Sequence, residues 1–328
     1  MLRKILLLIL LPVLVAALVV ACSPQEAGAP AVDEPMIVEV TRIVEGETET
    51  VEVQVEVTRV VEVPADRADG PTGELIVSLA TMPNSIYFPN AAERNARNVS
   101  NQIFDSLTWI DDESNIVPAL AESWEISEDG TEYIFSLRQG VIFHDGTTMT
   151  ARDVVATWEA GKEPENAYFY FYEDALLVEE IDEYTVRMVT EEPNPLFLRR
   201  LAEWGIIPAD YYAEVGREGL EQAPIGAGPF KLVEMIPGDR IVLEAHTEYW
   251  DEGLPYLARI VFRPITESST RVAAVQTGEL HIANRLNAEE AQSIMGVQGV
   301  TIIRYPVDRV FYIAFNNLTS GIDQPTED

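Results

Sequence analysis

Residues 118–158 read PALAESWEISEDGTEYIFSLRQGVIFHDGTTMTARDVVATW, and this stretch decides the fold. Apolar and polar side chains alternate over residues 123–127 and again over residues 132–137, and Glu128, Asp129 and Gly130 separate the two runs. Alternation with a period of two is typical of a strand with one buried face, and a turn that ends in glycine suits a hairpin. The pattern therefore predicts two antiparallel strands.

A helix is predicted directly after this hairpin. A second turn at Asp145 and Gly146 is followed by Thr150, and Asp153 comes three residues later, just before an apolar run. In a capping box the threonine side chain and the acidic side chain each accept a hydrogen bond from the backbone amide of the other residue. We therefore expect a helix to begin at Thr150.

Strands and helices continue to alternate on both sides of this stretch. Strands are predicted from compact or alternating apolar runs at residues 74–80, 176–181, 184–190, 231–235, 240–245, 260–264 and 280–283. Helices are predicted from apolar stripes and end signals within residues 91–109, from residue 196 towards 204, and over residues 268–277. This order predicts an α/β chain that contains a mixed α+β subdomain.

The composition excludes two classes of protein. The chain has 328 residues, an apolar fraction of 47% and a formal net charge of −33. The length suits about two domains, and the apolar fraction excludes a chain that is disordered throughout. Nucleic-acid binding relies on Lys and Arg to displace counterions from phosphate. The acidity therefore argues against a nucleic-acid partner.

The first 22 residues predict a secretion signal. Arg3 and Lys4 precede the apolar residues 5–20, and the small Ala21 stands before Cys22. This order is that of a signal peptide, and its end resembles a bacterial lipobox, whose Cys becomes the lipid-modified first residue of the processed protein. Cys22 is the only Cys in the sequence, so it has no internal disulfide partner. We expect Cys22 to anchor the protein to the membrane, outside the cytoplasm; the alternative is an ordinary signal peptide with an incidental Cys.

Residues 23–72 predict an acidic Val/Glu-rich tether. They contain twelve acidic and three basic residues, and VEVTRIVE at residues 38–45 recurs as VEVTRVVE at residues 55–62. Like charges along a chain repel and extend it. We therefore predict an extended tether between the anchor and the folded part; the alternative is a strand repeat that pairs with a neighbouring copy.

No arrangement of residues points to an enzyme. His144, His246 and His281 are the only histidines, they lie far apart in sequence, and neither H-E-x-x-H nor G-x-S-x-G is present. We expect no catalytic residue, no bound metal and no cofactor. His144 is expected to stabilise the turn in which it lies.

Residues 118–158 also carry the pattern A-x-S-W-x-x-S-x-D-G-x-x-Y-x-F-x-L-R-x-G-V-x-F-H-D-G-T-x-x-T-A-x-D-V-V. This pattern resembles the signature of the bacterial extracellular solute-binding proteins of family 5, the oligopeptide, dipeptide and nickel class. Further segments match in order: G-x-G-P-F at residues 226–230, P-G-D-x-I-x-L at 237–243, Y-W at 249–250 and R-x-A-A-x-Q-x-G-E at 271–279. The resemblance covers about residues 74–315.

The resemblance implies a periplasmic-binding-protein-like fold of type II, in which two lobes close over a solute. It implies a first lobe at residues 73–283 with an extra subdomain at about residues 95–192, then a crossing segment and the start of a second lobe at residues 284–328. The implied function is that of the non-enzymatic solute-binding component of an ABC importer. The implied partners are a peptide or related small solute, the permease subunits and, through the lipid anchor, the membrane.

The resemblance also implies six ligand-binding residues, namely Tyr168, Phe169, Asn284, Arg285, Glu93 and Asn95. The two aromatic residues stand where peptide binders of the family place an aromatic side chain, and the core of the subdomain is the alternative place for them. The Asn–Arg pair stands at the crossing into the second lobe, with a solvated loop as the alternative. The other two belong to a loop that contacts the backbone of the ligand.

One family feature is missing from the sequence. In the family, a strand like the one at residues 311–316 leads into the second lobe, whose motif begins near F-D-D-x-R-V-R-Q-A-L, and residues 317–328 do not contain this motif. We expect the chain as given to stop before the second lobe and to bind its solute poorly. The alternative function is a surface-anchored adhesin or scaffold lipoprotein without a transport role.

Overall fold

A computed structural model describes the backbone of Met36–Val44 and Glu47–Val55, and the backbone and side chains of residues 70–91 and 93–303. The expectations for Cys22 and for residues 304–328 lie outside the described residues. The chain divides into two compact units, Met1–Pro64 and Ala65–Asp328.

The described part of the first unit is a β-hairpin. Strands β1 (Met36–Val44) and β2 (Glu47–Val55) pair antiparallel, with Val40 opposite Val51 in the register. Within residues 23–72, these two stretches therefore pair with each other instead of running as a single extended chain, because pairing gives their backbone amides and carbonyls hydrogen-bond partners. The role of the segment as a tether stays a prediction.

The second unit alternates strands and helices. Its described strands are β3 (Glu74–Leu79), β4 (Thr108–Ile110), β5 (Ile116–Pro118), β6 (Ala121–Ile126), β7 (Glu132–Leu137), β8 (Ala175–Asp182), β9 (Thr185–Thr190), β10 (Phe230–Ile236), β11 (Arg240–Ala245) and β12 (Arg259–Pro264). Its described helices are α1 (Arg94–Ile103), α2 (Ala151–Gly161), α3 (Phe169–Tyr172), α4 (Phe197–Leu201), α5 (Ala209–Gln222), α6 (Ser268–Thr277) and α7 (Ala288–Ser293).

Four strands form the first sheet, in the order β10-β11-β12-β3. The first three strands pair antiparallel, whereas β12 and β3 pair parallel. Buried side chains of this sheet, including Leu79 and Leu243, share one hydrophobic core with Val99 and Ile103 of α1. The helix therefore covers one face of the sheet, as burial of its apolar stripe requires.

The second sheet has the order β6-β7-β9-β8 and is antiparallel throughout. Phe135 and Met188 from this sheet, Val154 from α2 and Trp204 share a second hydrophobic core. The strand pair β4-β5 precedes this sheet along the chain. The unit thus has two cores, each built around one sheet.

The hairpin and helix predicted within residues 118–158 are confirmed. Strands β6 and β7 pair with Trp124 opposite Phe135, and Gly130 in their turn has a φ of 73°, which glycine adopts without steric cost. Helix α2 follows, and the Thr150 amide donates to Asp153 Oδ2 at 2.7 Å, as a capping box requires. Asp153 Oδ1 also accepts from the Ala209 amide at 2.8 Å, so the cap ties α2 to the start of α5.

Two predicted elements differ from the structure. The helix expected within residues 91–109 ends at Ile103, and Trp109 lies in β4. The helix stops because the next residue, Phe104, is extended and the Ile103 carbonyl accepts from the Gly228 amide at 2.9 Å. The strand expected at residues 280–283 is reduced to a single parallel bridge between Ile282 and Val77. Helix α5, which bends at Gly216, was not predicted.

Candidate functional site

Three parallel segments end at the same edge of the first sheet. β3 and β12 pair in parallel along their whole length, and Ile282 bridges Val77 of β3 in the same direction. The residues at or just beyond these ends are named the carboxyl edge: Thr81, Ile265, Thr266, Asn284 and Arg285. Ligands of open α/β sheets bind in the crevice outside the carboxyl ends of the strands. The carboxyl edge is therefore the candidate site.

Glu93 holds the start of α1. Its Oε1 accepts from the Ala96 amide and its Oε2 accepts from the Asn95 amide, each at 3.0 Å. A carboxylate at this position satisfies two amides that have no partner within the helix and complements the helix dipole. The structure thus gives Glu93 an N-cap role, and its predicted contact with a ligand stays a prediction.

Asn95 lies close to the end of β3. Its side chain is fully buried, and Nδ2 donates to Thr81 Oγ1 at 2.7 Å. The other end of the amide, Oδ1, is buried and has no hydrogen-bond partner within the described part of the chain. A buried polar atom without a partner costs free energy, so this amide has an unused hydrogen-bonding capacity at the carboxyl edge.

Tyr168 lies against α1, the helix that Glu93 caps. Its ring stacks on Phe171 with centroids 5.0 Å apart, and its amide donates to the Pro89 carbonyl at 3.2 Å. The Arg97 guanidinium lies 4.8 Å from the Tyr168 ring centroid and also pairs with Glu203 at 2.8 Å. The guanidinium thus joins α1 to the aromatic segment by a cation–π contact.

Phe169 is half-buried and contacts Tyr170 edge to face, with centroids 6.0 Å apart. Tyr170 itself is exposed. The aromatic run, which comprises residues 168–172, is therefore neither wholly core nor wholly solvated. The structure places the Tyr168 ring against α1, the helix that Glu93 caps and that contains Asn95.

Asn284 and Arg285 lie at the carboxyl edge, beyond the bridge of Ile282 to β3. The Asn284 Oδ1 atom is buried and has no partner among the described residues, whereas the Arg285 side chain is exposed. Arg285 has a φ of 55°, a left-handed conformation that is uncommon for a residue other than glycine. Both backbone carbonyls accept hydrogen bonds from Arg271.

Other kinds of site find no support in the described ranges. Those ranges contain no group of three or more His, Cys, Asp or Glu residues arranged to hold a metal ion. No helix of the described chain combines the length and the apolarity needed to cross a membrane. A shallow recess of about 340 Å³ lies at the opposite end of β12 from the carboxyl edge, lined by residues that include Glu244 and Arg259. Its position beside the amino end of β12 separates it from the candidate site.

Comparison with known proteins gives the family. The sequence model described as "Bacterial extracellular solute-binding proteins, family 5 Middle" matches residues 115–328. The chain belongs to this family. This is a family of extracellular or periplasmic solute-binding proteins, and not a family of enzymes.

Curated and solved family members agree with this assignment. The glutathione-binding protein GsiB of Salmonella paratyphi A is 29% identical over 236 residues, which cover 69% of this chain and 45% of that protein. The chain therefore spans about half the length of the curated relatives it matches. AgaA of A. tumefaciens R10, solved with agropinic acid, is 31% identical, with a TM-score of 0.64 over 68% of this chain and 46% of that one. AppA of Bacillus subtilis, solved with a nonapeptide, is 27% identical, with a TM-score of 0.65 over 70% and 47%.

The family fold is thus shown over part of its length, as a mixed α/β fold that matches periplasmic binding proteins. The sequence analysis missed three residues of the carboxyl edge and two arginines that contact the site residues: Thr81, Ile265, Thr266, Arg97 and Arg271. Arg271 opens the R-x-A-A-x-Q-x-G-E segment of the family signature. That segment was the available signal, but its pattern does not tell which backbone groups the guanidinium meets.

Proposed function

We propose that this protein is the solute-binding component of an ABC importer, which captures a peptide or related small solute outside the membrane and delivers it to the permease. The observation that carries the proposal is the meeting of three parallel chain ends at the carboxyl edge, in a chain that belongs to a solute-binding family. A sheet edge of this kind is where open α/β sheets bind ligands.

The chemistry of the edge suits a solute with N–H groups and a carboxylate. Asn95 and Asn284 each have a buried amide oxygen without a partner in the described chain, and the exposed Arg285 offers a guanidinium. Amide oxygens accept from ammonium or peptide N–H groups, and a guanidinium binds a carboxylate through two parallel hydrogen bonds. Glutathione and a nonapeptide, which are named with two of the similar proteins, carry both kinds of group.

The finer organisation belongs to the same proposal. Residues 73–283 form the first lobe of a type II binding protein, and about residues 95–192 form its extra subdomain. Tyr168 and Phe169 provide an aromatic wall, Glu93 and Asn95 contact the ligand, and Asn284 and Arg285 lie at the crossing to a second lobe. Cys22 carries the lipid that holds the protein at the membrane surface, a mode of attachment that needs no spanning helix.

Solution NMR of the full chain tests the proposal, because it detects weak binding. Glutathione and a mixture of di- to pentapeptides are titrated separately to millimolar concentration. We expect shifts of the Thr81, Asn95 and Arg285 signals and none in β11, at the centre of the same sheet. An adhesin or scaffold would give no shift with any of these solutes. Shifts confined to another surface would show that the pocket is elsewhere.

A further inference from the structure

Arg271 makes an unusual set of contacts at the carboxyl edge. Its side chain, on α6, is buried with 3% of its surface exposed. One terminal nitrogen donates to the carbonyls of Ile265 at 2.7 Å and Thr266 at 2.8 Å. Nε donates to the Asn284 carbonyl and the other terminal nitrogen donates to the Arg285 carbonyl, each at 3.2 Å. One guanidinium thus joins the end of β12 to the Asn284–Arg285 segment.

Only a guanidinium suits this arrangement. A buried charge is costly unless it is hydrogen-bonded, and here four backbone carbonyls share the donors. The planar guanidinium has five N–H donors in a fixed fork, whereas a lysine ammonium has three donors at one point. The residue therefore fixes not only a distance but also the relative direction of two chain segments.

The Asn284–Arg285 segment lies just beyond the backbone hydrogen bonds that His281 and Ile282 make with β3. Ile282 makes one bridge to β3, and no strand continues beyond it within the described residues. Arg285 has a left-handed φ of 55°. A non-glycine residue keeps such a conformation only where its surroundings determine it, and the carbonyl bond from Arg271 is a contact that does so.

We propose that Arg271 is a positioning residue, which fixes the backbone of Asn284 and Arg285 against the ends of β12 and β3 and so sets where these two side chains stand for a solute. The backbone part of this inference stands by itself. Its consequence for binding rests on the proposed function.

Hydrogen exchange of the full chain tests the backbone part. We compare the wild type with Arg271→Met, which keeps the stem but loses every donor, and with Arg271→Lys, which keeps the charge but loses the fork. The amides of Ser78, His281 and Ile282 bond between β3 and this segment and serve as reporters. The matched control is Arg259→Met, which removes an arginine of β12 that lies 3.4 Å from Glu74 at the other end of the strand.

In Arg271→Met we expect at least tenfold faster exchange of the three reporters, while the amides of β11 keep their wild-type rates. Arg271→Lys should give a smaller change of the same pattern, and it replaces the Met variant if that variant does not fold. Arg259→Met should leave the reporters unchanged. Unchanged reporters in Arg271→Met overturn the inference. So does equal acceleration across the whole sheet, because it would reveal a general structural anchor.

The NMR titration with glutathione and peptides separates this inference from the proposed function. If the wild type responds to a solute, Arg271→Lys should weaken its affinity about tenfold, and an unchanged affinity would overturn the positioning role in binding. If the wild type responds to none of the solutes while the reporters behave as expected, the proposed function fails and the backbone role of Arg271 stands.

Discussion

His144 and His246 meet edge to face, with ring centroids 5.0 Å apart and ring planes at 78°. His144 Nε2 lies 2.9 Å from the Gly228 carbonyl, and His246 Nε2 lies 3.0 Å from the Ile142 carbonyl. Each ring therefore donates to a backbone carbonyl in a different chain segment. The predicted turn-stabilising role of His144 takes this form: the turn is joined to the glycine-containing segment that precedes β10.

This contact predicts a loss of stability in acid. Burial lowers the pKa of both rings, and that of His144 falls from 6.5 to about 4. The unfolded chain then binds more protons than the folded chain below about pH 6.5, so stability is present above that pH and is lost as pH falls towards 4. The His144 contribution alone amounts to about 2 kcal/mol between about pH 7.5 and pH 5.

Urea unfolding at these two pH values, compared between the wild type and His144→Gln, measures the effect. Gln cannot titrate, so its variant should lose less stability on acidification, even though its stability at neutral pH is also lower. NMR titration of the His144 ring provides a direct check. A pKa near 6.5 in the folded protein would contradict the prediction.

Asp105 predicts a pH dependence of opposite sign. Its carboxyl group is fully buried; Oδ2 accepts from the Tyr249 hydroxyl at 2.8 Å and from Trp250 Nε1 at 2.7 Å. Burial raises its pKa from 3.8 to about 7 despite these two hydrogen bonds. The folded state therefore keeps its proton to higher pH, and the stability that Asp105 contributes in acid is lost as pH rises through 7.

Asp105→Asn keeps the shape and the acceptor but cannot ionise. Relative to this variant, the wild type should lose about 3 to 4 kcal/mol of unfolding free energy between about pH 4 and pH 7.5. Urea unfolding across this range gives the comparison, and the cost of the unpaired Asn N–H group cancels because it does not depend on pH. If the unfolding free energies of the two proteins changed with pH in parallel, the pKa of Asp105 would not be raised in the folded protein, and the prediction would be wrong.

Local signals in the sequence predicted most of the fold. The β6–β7 hairpin and the start of α2 depend on alternation, a glycine turn and a cap, all of which lie within a few residues of each other. The relations that failed or were missed are non-local. The end of α1 at Ile103 is set by Gly228, and the Asn284 backbone is held by Arg271. No pattern near Ile103 or Asn284 records these partners.

The sequence also predicted part of the candidate site. The family resemblance pointed to the aromatic pair and to Asn284 and Arg285, and the structure places the latter two at the carboxyl edge. The family resemblance could not predict that both Glu93 carboxylate oxygens would accept hydrogen bonds from backbone amides of α1. Periodicity indicates which residues face a core, but the partner of a single carboxylate depends on the whole local geometry.

The close approach at Gly228 predicts a large effect of a single methyl group. A Cβ at this position would lie 2.5 Å from the Ile103 carbonyl carbon, inside van der Waals contact. We expect Gly228→Ala to destabilise the protein by about 2 to 4 kcal/mol, because the backbone of two segments must separate. Thermal and urea unfolding measure this loss.

Gly238 provides the matched control. It has a φ of 77°, and no atom lies within 4 Å of the position that a Cβ would take there. Asparagine tolerates that backbone conformation. Gly238→Asn should therefore cost less than about 1 kcal/mol. If Gly228→Ala is no more destabilising than this control, the contact with Ile103 is not tight in solution.

The proposed lipid anchor predicts a modified amino terminus. Protein purified from membranes of the native host should begin at Cys22 and carry acyl chains, because the preceding residues form a basic, apolar and small-residue signal. Mass spectrometry of the terminal peptide identifies this modification. Cys22→Ser should release the protein from the membrane fraction, and an unmodified start at another residue in the wild type would contradict the proposal.

The proposed solute contacts predict losses of affinity without a loss of fold. The Tyr168 ring is held by Phe171 on one side and by the Arg97 guanidinium at 4.8 Å. Tyr168→Ala removes a rigid aromatic surface, so affinity for a solute that binds the wild type should fall about tenfold, or about 1.4 kcal/mol. Arg285→Ala should weaken the binding of a solute that carries a carboxylate more than the binding of the corresponding amide. Only the carboxylate can form the paired hydrogen bonds with the guanidinium.

Tyr170→Ala is the control for the aromatic contact, since Tyr170 belongs to the same aromatic run but is 46% exposed. NMR titration gives the affinities, and circular dichroism confirms that each variant is folded. We expect Tyr170→Ala to keep the wild-type affinity, because its ring is exposed and its removal leaves the rings of Tyr168 and Phe169 in place. If Tyr168→Ala binds the solute with the same affinity as Tyr170→Ala and the wild type, the aromatic run belongs to the core of the subdomain and the wall of the site lies elsewhere.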